Sequence, residues 1–317
     1  MLRHYLKKQV SAAFFQAQLR TQPTIETQHL QLIEKKYGVT ISLESQKTNT
    51  GRSVMELKIW QTGKTPNKAT ALFQGTGSLI DLPKIIKASE LAATNGEYIY
   101  FMREYPGAGK GKVTIFSINE ITEDSVEFLK RLASHYNIVF VKSISMGAAV
   151  ACCAVAECHR TGYKNVYGLF ARTYRCFVVL LASRFSHPEI AYPILKVVLT
   201  YTEFNLSTAK HFLDIPKEYK YAYRIEGDTV VPESASLVED PEVRLENLEG
   251  QKCGTAVCAK HIAFYQQRTV FKPVKEHPKD PHAISESQVY LDDTDITAEE
   301  IGKSYIEYIE NHSGMKT

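Results

Sequence analysis

From about Ser53 onward, short apolar runs alternate with amphipathic stretches, the pattern of a mainly parallel sheet covered by helices on both faces. Residues 54–60 and 69–73 read as the first two strands of the set, and the second runs into Gln74-Gly75-Thr76-Gly77-Ser78. Residues 82–94 follow as a helix and 98–102 as a third strand, which leads into Tyr105-Pro106-Gly107-Ala108-Gly109. The 3.6-residue period of another helix spans 122–136. Residues 138–141 form a wholly apolar strand of the kind buried on both faces, broken at Lys142. An Ala- and Cys-rich helix over 148–157 comes next, and its small side chains suit tight packing on a sheet.

Further along, 166–170 is a strand and 177–181 fits either a helical segment or a strand. Residues 184–220 hold aromatic and apolar helical stretches without a sheet strand, the place where a helical cap would be inserted. A strand over 221–225 ends at Glu226-Gly227-Asp228-Thr229-Val230-Val231-Pro232. Then 243–248 reads as a short strand, 255–267 as helix, 269–274 as a β-branched and aromatic strand, and 297–311 as a closing amphipathic helix. Ahead of the alternation, residues 1–36 form an N-terminal amphipathic helical segment in which Leu2, Leu6, Val10, Phe14 and Phe15 recur at roughly helical spacing. The expected organisation is therefore this segment followed by one α/β domain over 37–317, with its insertion at 184–220.

Composition adds few constraints. A chain of 317 residues, 44% hydrophobic and 23% charged, suits a soluble globular protein with one large core. The 38 basic and 35 acidic groups leave a net charge of +3, which gives no electrostatic footprint for nucleic acid. No apolar run is long enough for a transmembrane helix, and the N-terminus lacks the apolar core of a secretory signal, so the cytosol, the protein's own or a host's, is the expected location. Arg3, Lys7, Lys8 and Arg20, with no acidic residue among the first 25, make a peripheral membrane contact through residues 2–20 compatible with the sequence, beside plain packing on the domain. Of the six cysteines, Cys152, Cys153 and Cys158 fall on one apolar helix, as small buried hydrophobes in a reducing compartment do. Cys253, Cys258 and His261 have the look of metal ligands, but no second close cysteine pair completes a zinc site, and no metal or cofactor is expected.

The chemistry centres on Ser143-Ile144-Ser145-Met146-Gly147, set between the buried strand and the small-residue helix. A turn that sharp leaves little room for side chains two positions before and after its apex, which explains the small residues at 143 and 147. A strand, a turn of small residues and a small-residue helix are the parts of a nucleophile elbow, although serine replaces the usual leading glycine. Four segments in order then resemble the α/β-hydrolase superfamily, from about residue 54 to the C-terminus. Beside the elbow, Gln74-Gly75-Thr76-Gly77 is similar to its H-G-x-G loop, Tyr105-Pro106-Gly107-Ala108-Gly109 to its Y-P-G-x-G loop, and Gly227-Asp228-Thr229-Val230-Val231-Pro232 to its G-x-D-x-x-V-P loop. The resemblance implies an α/β-hydrolase fold and a serine esterase or lipase-like enzyme acting on a small-molecule ester or a lipid. It further implies Ser145 as nucleophile, the backbone N–H groups of Thr76 and Met146 as oxyanion donors, and Asp228 as the triad acid. For Asp228 the alternative is an Asx turn ahead of Pro232.

A serine hydroxyl needs a base to take its proton, and a histidine needs a carboxylate to hold its tautomer. In the superfamily's order the base follows the last strand and precedes the final helix, which favours His282; His277 shares that topological position, and His261 lies earlier, inside the helix-like stretch. Two other readings remain. Glu104-Tyr105-Pro106-Gly107-Ala108-Gly109-Lys110-Gly111-Lys112 resembles a nucleotide-monophosphate kinase P-loop, with Gly107 to Lys110 as the phosphate cradle, although Glu104 would set a carboxylate against phosphate and Lys112 stands where a magnesium-binding hydroxyl belongs. A hydrolase-shaped scaffold that binds a partner without catalysis is the other, because a fold does not fix a function.

Overall fold

The computed structural model describes residues 1–14, 20–75, 79–109, 117–244, 270–273, 286–291 and 296–313. Two helices, α1 (Leu2–Phe14) and α2 (Thr27–Tyr37), lead to β1 (Val39–Lys47) and β2 (Ser53–Gln61). The alternation then runs β3 (Lys68–Phe73), α3 (Leu82–Thr94), β4 (Tyr98–Arg103), α4 (Ile118–His135), β5 (Ile138–Ile144), α5 (Met146–Arg160) and β6 (Val166–Ala171). Three helices, α6 (Phe177–Ala182), α7 (Pro188–Tyr201) and α8 (Thr208–Asp214), precede β7 (Lys220–Ile225). Strands β8 (Val270–Pro273) and β9 (Val289–Leu291) and helix α9 (Ala298–Ser313) complete the described elements.

All nine strands join one sheet in the order β1-β2-β4-β3-β5-β6-β7-β8-β9. From β4 to β8 neighbouring strands are parallel, while β1 and β2 at one edge and β9 at the other pair antiparallel. The central strands are buried on both faces, as in β6, where all six residues are buried, and β3, where five of six are. Helix α5 lies against this centre with Ala, Cys and Val side chains, buried at every position but Glu157 and Arg160. Its thiols Cys152, Cys153 and Cys158 are free, and burial pushes the Cys158 thiol up to about 12.

Three features differ from the sequence expectation. The sheet begins at Val39 rather than near Ser53, because Val39, Ile41 and Leu43 pair along β2 as an edge strand. Strand β5 continues past Lys142 to Ile144: Lys142 forms an ion pair with Glu286, and the Ser143 hydroxyl donates to the Leu169 carbonyl at 2.8 Å, so neither polar residue interrupts the ladder. Residues 177–181, for which the sequence leaves helix and strand both open, are helical. Val243, expected in a strand, sits in a helical turn over 241–244 with its side chain fully buried, and 245–248 lie outside the described residues, as does the expected helix over 255–267. Among the described residues no helix is long and apolar enough to cross a membrane.

Candidate active site

Strand order reverses at β3, whose neighbours β4 and β5 are reached in opposite directions. In open parallel sheets such a reversal opens a crevice at the carboxyl ends of the two strands, since their following segments diverge to opposite sides. Gln74 and Gly75 follow β3 there, and Ser145 follows β5. A Cβ placed on Gly75 would stand 3.7 Å from Ser145 Cβ and 4.0 Å from its Oγ, so the two loops meet at the serine hydroxyl.

Ser145 occupies φ 58° and ψ −128°, a left-handed conformation that costs an ordinary residue about 1–3 kcal/mol. Strand and helix impose it together. The Ser145 N–H is held by Ala171 O at 2.9 Å, extending the β5–β6 ladder, while the Ser145 carbonyl already accepts from Ala148 N at 3.0 Å as the first turn of α5. Chain reversal within one residue leaves the side chain at the apex. Met146 is the first residue of α5, and its N–H has no acceptor within the helix; the positive end of the helix dipole adds to it there. The Met146 side chain is buried, with the Tyr174 hydroxyl 2.7 Å from its sulfur.

Both flanking small residues have identifiable reasons. A Cβ on Gly147 would lie 2.3 Å from Gln74 O and 2.7 Å from both Phe73 C and O, an overlap with backbone that no rotamer relieves. Ser143 stands where a glycine was expected, and its buried hydroxyl is satisfied by Leu169. The Gln74 carbonyl is fixed from its other side by the buried Tyr105, whose hydroxyl donates to it at 2.7 Å. Thus the loop after β4 braces the loop after β3. The sequence flagged Tyr105 as part of a motif but held no sign of this hydrogen bond, and Tyr174 carried no signal at all.

Asp228 is buried at 6% exposure, three residues beyond β7. Its Oδ1 accepts from Val230 N at 2.9 Å and Val231 N at 2.8 Å, so the Asx turn is formed and at the same time locks the carboxylate at the strand edge. Ile144, Ala171 and Tyr223 lie in register across β5, β6 and β7, so Ser145 and Asp228 both follow strands that end at the same carboxyl edge of the sheet, their strand lines two spacings, about 10 Å, apart. Thr76 and the three candidate bases, His282, His277 and His261, lie outside the described residues, as do Cys253, Cys258 and Lys110 through Lys112.

The turn after β4 has its own structural use. Glu104 is buried and its carboxylate accepts from Ile80 N at 2.6 Å, tying this turn to the approach to α3. Burial raises its pKa above the usual range despite that hydrogen bond. A second, part-buried cluster links β5 and β7 to Glu286: Glu286 pairs with Lys142, its Oε1 accepts from the Tyr223 hydroxyl at 2.9 Å, and the charge of Arg172 acts on it.

Strand order, a left-handed serine at the β5–α5 turn and a buried aspartate after β7 define an α/β-hydrolase fold. Overlay on a solved structure agrees: the esterase Pf2001 of Pyrococcus furiosus superposes with a TM-score of 0.52 at 14% identity, covering 92% of this chain and 95% of that one. Brefeldin A esterase, described as a bacterial homologue of human hormone sensitive lipase, gives 0.40 at 12% identity over 67% of this chain and 58% of that one. An acetyl xylan esterase from Paenibacillus sp. R4 gives 0.40 at 10% identity over 66% and 82%. No protein-family model matches the chain, and no curated protein matches it.

Proposed function

We propose that the protein is a serine hydrolase that cleaves ester-type bonds in small molecules, with Ser145 as nucleophile, Asp228 as triad acid and His282 as base. The observation that carries this reading is the strained Ser145 apex beside Gly75, because backbone strain held at a half-buried hydroxyl where two loops meet is the kind that clusters at active sites. The base takes the Ser145 proton as Oγ attacks the ester carbonyl carbon. The resulting oxyanion receives the backbone N–H groups of Met146 and Thr76, with the α5 dipole behind the first. Collapse of the tetrahedral intermediate expels the alcohol, which takes the proton back from the base, and water repeats the sequence on the acyl-enzyme. The gap of about 10 Å between the β5 and β7 strand lines suits two side chains bridged by one imidazole. His277 and His261 are the alternative bases.

A fluorophosphonate probe tests the assignment. It should label wild-type protein at the peptide containing Ser145 and leave Ser145→Ala unlabelled. Labelling elsewhere, or none, rejects the nucleophile. Alanine substitution of His282, His277 and His261 in turn then identifies the base, since loss of a triad member lowers turnover by several orders of magnitude.

A further inference from the structure

Beyond β6 the chain passes from the site to a groove. Ala171 O holds the Ser145 amide, Tyr174 reaches Met146, and the residues around Tyr174 pair with the segment after Asp228, through Leu237 N to Thr173 O and Arg175 N to Ala235 O. Arg175 lines a groove of about 660 Å³ between α6, α7 and that segment. Val179, Pro188 and Tyr192 give the groove apolar wall, and Ser207 and Ser234 line it with hydroxyls.

Among the described residues the Arg175 guanidinium has no hydrogen-bond or ion-pair partner, and its Nε is shut off from solvent without an acceptor. Other arginines of the fold are matched: Arg103 with Asp124, Arg131 with Glu56, Arg224 with Glu239. Asp240 lines the same groove yet makes no ion pair with Arg175, and one of its oxygens accepts from Glu242 N. A partly buried guanidinium without a counter-ion loses hydration with nothing in return, unless an anion arrives from outside the chain. Its planar fork matches a carboxylate in bidentate fashion. Along the chain Arg175 is four residues, at most about 14 Å of extended backbone, from Ala171, whose carbonyl holds the Ser145 amide.

We infer that Arg175 binds a carboxylate carried by the substrate, which makes the preferred ester an acidic one, a half-ester of a short dicarboxylic acid or an acylated hydroxy acid. This rests on the serine-hydrolase reading. The test compares monomethyl glutarate, with its carboxylate on the acyl side, and acetoxyacetate, with it on the alcohol side, against the neutral methyl butyrate and ethyl acetate. Wild-type protein should favour one acidic ester over its neutral counterpart in kcat/KM. Arg175→Gln should remove that preference, lowering kcat/KM on the acidic ester by about tenfold to a hundredfold, the scale of one charge-assisted contact, and leaving the neutral ester within about twofold. Arg175→Lys should restore part of it. No preference in wild type, or an equal loss on acidic and neutral esters in Arg175→Gln, overturns the inference. Calorimetric binding of glutarate to Ser145→Ala, set beside the double variant with Arg175→Gln, separates the two readings. If no ester is cleaved but glutarate binds and needs Arg175, the hydrolase reading fails and the groove stands. If glutarate does not bind, or inorganic phosphate binds in its place, the carboxylate assignment fails.

Discussion

The hydroxyl of Tyr105 donates at 2.7 Å to the carbonyl of Gln74, the last peptide group before the loop that meets Ser145. Because Tyr105 is buried, this bond is formed away from competing water, and removing it leaves a carbonyl without its partner. Tyr105→Phe should cost about 1–3 kcal/mol in a urea unfolding curve. If the Gln74–Gly75 backbone positions an oxyanion donor, kcat on a simple ester should fall while KM stays put. An equal change in both would assign Tyr105 to binding or to stability alone.

Gly147 presses on the same peptide from the other side. Alanine there would set a methyl 2.3 Å from Gln74 O, so either β3 or the start of α5 must move. Gly147→Ala should destabilise by about 3 kcal/mol, the upper part of the usual overpacking range, and should lower ester turnover in whatever protein remains folded. Full activity with an unshifted thermal midpoint would show that the two segments do not pack as described.

Ser145 offers a test of strain independent of any substrate. With φ at 58°, replacing serine by glycine removes the side-chain penalty, whereas alanine keeps it. Ser145→Gly should therefore gain about 1 kcal/mol over Ser145→Ala after the flexibility of glycine in the unfolded chain is counted. Equal unfolding midpoints for the two would argue against a strained apex.

Glu286 predicts a pH dependence. Burial opposes its ionisation, but the Lys142 ammonium, the Tyr223 hydroxyl and the charge of Arg172 outweigh that and hold its carboxyl below the usual range. A depressed native pKa contributes stability that is present above the unfolded value, about 4.5, and is lost as pH falls through the native value. Glu286→Gln should cost about 1–3 kcal/mol at pH 7, the scale of losing a charge-assisted hydrogen bond in a part-buried pair, and the gap to wild type should close in acid. A gap that stays constant down to pH 3 would remove the ion pair from the account.

The parallel core was readable because its strands announce themselves locally. Residues 69–73, 166–170 and 221–225 are apolar runs bounded by turn residues, and the helix expected over 82–94 is the α3 observed. What failed depended on distant partners. Lys142 looked like a strand breaker because its counter-ion lies 144 residues away, and Ser143 looked polar because Leu169 O was not in view. Strand β1 did carry a local signal, the period of two in Val39, Ile41 and Leu43, but it was masked by the basic helical segment before it. At the site, Ser145 was legible because a sharp turn restricts its neighbours to small residues, which local sequence can display. Tyr105 and Arg175 were not, since their meaning comes from a partner met only after folding, or from the lack of one.

Helix α1 has a further bearing. Arg3 and Lys7 both engage Glu203, just beyond α7, and Arg3 also donates to Tyr201 O at 3.0 Å. The N-terminus thus works as a clip on the end of α7, and its grip is ionic and half open to water. Raising ionic strength shortens the Debye length from about 10 Å at 0.1 M to about 3 Å at 1 M, so the clip loosens without any change in sequence. Amide exchange in α1 and in the last turn of α7 should then quicken together with added salt, while β5 and α5 keep their protection. The hold on α7, whose first turn and a half walls the Arg175 groove, becomes a property of the surrounding medium.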